Sequence, residues 1–129
     1  MPETIETREY LDAQKNSPYG GWFDELNAPA AAKVATAITR MRQGNFGDHK
    51  SVGSGVLERR IDFGAGYRVY YAKDGAALVI LLGGGTKDTQ QQDINDSITR
   101  WTDYKQRKKK EEAAEQKKHG GKNAPDKRF

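Results

Sequence analysis

The alternation of apolar and polar side chains is clearest in VLERRIDFGAGYRVYYAKDGAALVILLGGGTK, from Val56 to Lys87, which predicts three successive antiparallel strands. In the first, near Val56–Phe63, Leu57, Ile61 and Phe63 share one side and Glu58, Arg60 and Asp62 the other, because successive strand side chains point to opposite faces. Gly64–Ala65–Gly66 supplies a turn, since glycine reaches the positive φ of a tight hairpin. The second strand, near Tyr67–Ala72, sets Arg68 and Tyr70 on one face and Tyr67, Val69 and Tyr71 on the other. Lys73–Asp74–Gly75 turns the chain again, and the third strand, near Ala77–Leu82, is apolar throughout, as a strand covered on both faces requires. Such a sheet shows charged side chains from two adjacent strands on one surface, beside a glycine-rich exit that carries Lys87.

The flanking segments follow other periods. Around Glu3–Leu11, Ile5, Thr7, Glu9 and Leu11 alternate with Glu6, Arg8 and Tyr10, and the charge suits an edge strand. Ser17–Pro18 reads as an N-cap with proline in the first turn of a short helix containing Trp22, Phe23 and Leu26. Asn27 caps a second helix, whose Ala31, Val34, Ala35, Ile38 and Met41 form an apolar stripe ending at Gly44. Asn45–Gly55 reads as a glycine-rich loop bearing Asp48, His49 and Lys50. Asp88 is placed to cap a last helix, with Ile94, Ile98 and Trp101 as its buried stripe. Beyond Tyr104 that stripe stops. Lys105–Lys118 could continue the helix through Glu–Lys pairs, with nothing to pack it, and His119–Phe129 is expected to be disordered. The expected organisation is one domain over residues 1–104 and a basic tail over 105–129.

Composition narrows the chemistry. There is no cysteine among 129 residues, so disulfides and thiolate metal sites are excluded. No apolar run is long enough to cross a bilayer and no signal-peptide pattern is evident, which implies a cytoplasmic protein without a membrane partner. Mean hydropathy is −0.95, low for a packed domain, and the charge distribution locates the unpacked part. Residues 105–129 hold ten Lys or Arg against four Asp or Glu, whereas residues 1–104 hold twelve against fourteen. The pI near 9.3 therefore belongs to the tail. Clustered arginines on a sheet face are better evidence for an anionic partner than net charge, because a phosphate meets local potential.

Glu58 and Arg60 lie two apart on one strand, and Arg68 on the next strand shares their face. A carboxylate among guanidinium groups can act as a general base while the arginines hold a phosphate. The same residues would also form a cross-strand salt-bridge ladder. Lys87, after Gly83–Gly85, suits a phosphate contact, but the spacing is not that of a nucleotide-hydrolysing P-loop. His49 lacks companions for a zinc site and is left with proton transfer or a structural hydrogen bond. No cofactor is expected.

The runs GNFGDHKSVGSGVLERRIDFGAGYRVYY and LLGGGTKDTQQQDI closely resemble the RelE/HigB-type toxins of bacterial type II toxin–antitoxin modules, within the RelE/ParE superfamily. They are most similar to its phage-derived branch, described as addiction module killer proteins. The resemblance covers roughly Tyr19 to Ile98, and GYR at Gly66–Arg68 together with the glycine–lysine exit carries it. It implies an α+β fold with two N-terminal helices packed on a small, mostly antiparallel sheet, followed by a C-terminal helix. It also implies an mRNA endoribonuclease acting on the ribosome, silenced by a helix-turn-helix antitoxin that alone contacts operator DNA. Arg68 then matches the catalytic arginine of the GYR strand. Lys87 falls where relatives carry a basic residue or histidine, and Glu58 and Arg60 fall on positions of lysines or a glutamate base. Lys50, His49 and Tyr70 are the expected RNA contacts. The implied reaction is a metal-independent attack by the RNA 2′-OH, deprotonated by Glu58, on the adjacent phosphorus. A ParE-like gyrase poison and a non-catalytic antitoxin-binding module are the alternatives.

Overall fold

The computed structural model describes residues 4–122 and has an α+β architecture. In order, the chain forms β1 (Glu6–Glu9), α1 (Pro18–Asp24), α2 (Ala28–Arg42), β2 (His49–Gly53), β3 (Val56–Ile61), β4 (Tyr67–Lys73) and β5 (Leu78–Thr86). A single 3-10 turn at Lys87–Thr89 then leads into α3 (Gln90–Lys122). The sheet order is β1-β5-β4-β3-β2, with β1 parallel to β5 and every other pair antiparallel.

The helices begin where the sequence caps them. Ser17 Oγ accepts from the Gly20 N–H at 2.8 Å, and Asn27 Oδ1 from the Ala30 N–H at 3.0 Å. Each replaces a hydrogen bond that the first helical turn cannot make internally. Gly44, at φ 87°, takes the left-handed conformation that ends α2.

Strand alternation builds two cores on opposite faces of the sheet. On one, Val34, Ile38 and Met41 of α2 and Tyr19 of α1 pack on Ile61, Val69, Tyr71, Val79 and Leu81. On the other, Trp101, Ile94 and Ile98 of α3 pack on Val56, Tyr70, Ala72, Ile80 and Leu82. β5 is therefore covered on both faces, as its unbroken apolar run requires.

Three local expectations change. The loop assigned to Asn45–Gly55 contains the edge strand β2, turned into β3 by Ser54 and Gly55 at φ 54° and 86°. Gly83–Gly85 is strand rather than turn, and a bulge between Tyr70 and Tyr71 aims Gly83 and Gly85 at α3 and Gly84 at α1. A Cβ at Gly84 would overlap the Trp22 ring, and one at Gly85 the Asp93 carboxylate, so these glycines let both helices approach the sheet. Asp88 lies inside the 3-10 turn and does not cap α3.

The helix also runs past Tyr104 into contacts that no apolar stripe announces. Arg107 donates to Asp103 and to the Leu11 carbonyl, and its guanidinium lies over the Tyr10 ring at 5.2 Å. Lys108 Nζ reaches both Asp74 oxygens at 2.8 Å, and Asp74 also accepts from Tyr104 OH at 2.6 Å. α3 is helical to Lys122, so the disorder expected from His119 onward does not hold there, and residues 123–129 lie outside the described residues.

Truncation after Tyr104 should accordingly lower the melting temperature by about 2–4 °C, whereas truncation after Lys110 should leave it within about 1 °C. Hydrogen bonding to Lys108 and Tyr104 holds the Asp74 carboxyl below its ordinary value, as Tyr10 and Arg107 do for Asp103. A depressed folded-state value contributes stability above the ordinary carboxylate range, and that stability disappears as pH falls through the folded value. The difference between full-length and Tyr104-truncated protein should therefore shrink below about pH 4. Equal melting at neutral pH would show these contacts to be incidental.

Candidate active site

The register of β3 on β4 pairs Glu58 with Tyr70 and Arg60 with Arg68, which puts all four side chains on the α3 side of the sheet. That much follows from alternation. What covers them does not. Glu58 is fully buried, at 0% exposure, beneath the first turn of α3. Its Oε1 accepts from Arg68 Nη1 at 3.1 Å, and its Oε2 accepts from Tyr70 OH at 3.1 Å and Gln90 Nε2 at 2.8 Å. Such a carboxylate is paired and hydrogen-bonded, as a buried charge must be.

Two expectations are corrected by this geometry. Glu58 does not lie on an open charged face, and its oxygens are committed to three donors rather than turned toward a substrate. Tyr70 is equally buried, so it presents no surface for RNA. Burial, then the Glu58 charge beside it, pushes the Tyr70 phenol far above its ordinary value. It stays protonated and donates to Glu58; it is no proton acceptor.

The open part of this face lies at the end of the strands. A cleft of about 490 Å³ is lined by Arg60, Arg68, Lys87, Asp48, Asp62 and Tyr67 with the β3–β4 turn. Arg60 Nη2 donates to Asp48 Oδ1 at 3.0 Å, and the Arg60 N–H donates to the Asp48 carbonyl at 2.8 Å. The Lys87 N–H donates to the Gly66 carbonyl at 3.0 Å, which ties the 3-10 turn to the hairpin and fixes where the lysine starts. Gly66, at φ 80°, sits with its Cα against Lys87; a Cβ there would lie 3.6 Å from the lysine Cβ. The Arg68 side chain is 12% exposed; its Nη1 donates to Glu58, and the residue also lines the cleft.

The structure thus gathers Arg60, Arg68 and Lys87 and leaves out the other expected contacts. Lys50 pairs with Glu58 from the edge strand but does not line the cleft. His49, one residue earlier, faces the opposite side of the sheet, with Nδ1 2.9 Å from the Gly47 carbonyl and its ring edge-on to Phe46. Asp48 and Gln90 were not among the sequence-derived site residues. Asp48 stood in the segment read as a glycine-rich loop, and the β2–β3 pairing brings it to Arg60. Gln90 meets Glu58 across 32 positions of sequence, and no local pattern reports that.

Residues 21–119 match the model of the family described as Phage derived protein Gp49-like (DUF891). The chain belongs to this Gp49-like family. The family is associated with toxin–antitoxin modules. An uncharacterized protein of Haemophilus influenzae is 49% identical over 80 residues, 61% of this chain and 81% of that protein. The Gp49-like span includes every residue of the cleft, from Asp48 to Lys87, and continues along α3 beyond the Ile98 limit of the sequence resemblance. Among the described residues, no helix is long and apolar enough to cross a membrane.

Proposed function

We propose that this Gp49-like chain is the toxin of a toxin–antitoxin module and a metal-independent mRNA endoribonuclease of RelE/HigB type that arrests translation on the ribosome. One observation carries the reading: Arg60, Arg68 and Lys87 converge in a single open cleft, and the Arg68 guanidinium is fixed there by a buried carboxylate. Three cations held in place suit a reaction whose transition state gathers negative charge on phosphorus oxygens.

In this reading the RNA 2′-OH attacks the adjacent phosphorus in line. Its proton passes to solvent, the P–O5′ bond breaks, and the departing 5′ oxygen takes a proton back from solvent. The products are a 2′,3′-cyclic phosphate and a 5′-OH. Arg60, Arg68 and Lys87 neutralise the phosphorane oxygens. Glu58, with Tyr70 and Gln90 around it, acts as a positioning residue for Arg68. DNA, which lacks the 2′-OH, is not cut. A cognate antitoxin would silence the protein and carry any contact with operator DNA.

Purified protein added to a cell-free translation reaction should stop synthesis and leave mRNA fragments with 5′-OH ends. A plasmid supercoiling assay run in parallel should show no gyrase inhibition. Gyrase poisoning with intact mRNA would transfer the protein to the ParE-like alternative, and inactivity in both assays would leave a binding module.

A further inference from the structure

On the opposite face of the sheet, a second cavity of about 240 Å³ is lined by Lys33 and Arg40 of α2 and Arg59 of β3. Ile61 and Asp62 line both this cavity and the Arg60–Arg68–Lys87 cleft, so the two meet around the end of β3. Arg59 and Arg60 are consecutive and point to opposite sides of the strand, one into each.

The second cavity carries three cations against one carboxylate, Asp62. Among the described residues, none of Lys33, Arg40 and Arg59 is in an ion pair, in contrast to Arg60 and Arg68. Arg59 is nevertheless held in place. Its Nη1 donates to the Arg60 carbonyl at 2.7 Å, and its guanidinium lies against Gly47, where any Cβ would overlap it. Its Nε is buried without a hydrogen-bond partner. Lys33 extends over the Phe63 ring at 5.4 Å, at the same end of β3. A guanidinium held by a backbone carbonyl and paired with no carboxylate, beside two unpaired cations, is suited to an anionic oxygen from outside the chain. Among the described residues, the carboxylate of Asp62 on the shared rim is the only negative group lining the cavity.

We infer that this cavity binds a second phosphate of the same RNA strand, so that the substrate wraps the end of β3 with phosphates on opposite faces of the sheet. The inference rests on the ribonuclease reading. It makes Lys33, Arg40 and Arg59 binding groups that set affinity for an extended strand and leave the chemical step to the first cleft.

Lys33→Ala/Arg40→Ala in the full chain tests it, since both side chains are exposed and their loss opens no core cavity. The probe is a labelled 2′-O-methyl RNA hexamer, which offers phosphates without the nucleophile. The double variant should bind it about tenfold more weakly, and its log-affinity should fall less steeply with log salt, by about one unit of slope. In the cell-free reaction, the protein concentration giving half-maximal mRNA cleavage should rise while the rate at saturating protein stays within about twofold of wild type. A dinucleotide probe, with one phosphate, should bind wild type and variant alike. Equal hexamer affinity and salt slope in the two proteins would overturn this site while the ribonuclease reading stands. A wild type that neither binds the hexamer nor cleaves mRNA would overturn both. A variant that binds RNA normally but loses its antitoxin would assign the cavity to that protein instead.

Discussion

Arg68→Ala should abolish growth inhibition and lower single-turnover mRNA cleavage by about 10²–10³-fold, the usual cost of removing one preorganised transition-state contact. Arg68 is the one cation of the cleft that is both nearly buried and held by a buried partner, so its geometry is the least free to drift. The substitution will also cost stability, because Glu58 loses its counter-ion. That cost should be about 3–5 kcal/mol, because a fully buried carboxylate is left without a counter-ion even though Tyr70 and Gln90 still donate to it. Activity must therefore be read well below the melting temperature. Arg68→Lys separates the two effects. It keeps a positive charge beside Glu58, so the fold should recover most of its stability, but a point charge cannot bridge carboxylate and phosphate as a planar fork does. Cleavage should stay at least tenfold down. Full activity in Arg68→Lys, or unimpaired cleavage in a folded Arg68→Ala, would confine Arg68 to the fold.

A comparable loss of stability is expected of Glu58→Gln. The amide keeps the shape of the carboxylate but removes the charge that balances Arg68, and it brings an N–H₂ among three groups that all donate. Breaking a buried pair from one side costs about 3–5 kcal/mol, and Arg68 at 12% exposure is close to that regime. Denaturant melts should show it directly. Cleavage should fall as well, through a loosened Arg68, but the shape of its pH–rate profile should match that of the wild type, because the Glu58 oxygens are occupied by three donors beneath α3. A base would behave in the opposite way. Glu58→Gln with wild-type stability and a pH–rate profile that differs in shape from the wild type's would restore Glu58 as the proton acceptor. The double variant Glu58→Gln/Arg68→Ala adds a check: if the carboxylate acts through the arginine, its activity should be no lower than that of Arg68→Ala alone.

Much of this arrangement is legible in the sequence because alternation is a local property. The parity of β3 and β4 puts Glu58, Arg60, Arg68 and Tyr70 on one face whatever surrounds them, and the caps Ser17 and Asn27 start the helices from residues within three positions. The apolar run of β5 likewise announces a strand with both faces covered. Alternation does not say what lies over a face. A polar row covered by a helix and a polar row in water read alike, and here the first turn of α3 closes over Glu58 and Tyr70 while the strand ends stay open at Arg60, Arg68 and Lys87. The closure depends on Gln90 meeting a carboxylate far away in sequence and on glycines in β5 that let the helix approach. The edge strand β2 was hidden for the same reason: HKSVG has one apolar residue of its own, and it becomes a strand by pairing with β3, which carries Asp48 to Arg60. Residue type and parity thus determined which side chains share a face, whereas burial, a sum over contacts between distant segments, decided which of them meet solvent and which only hold the others in place.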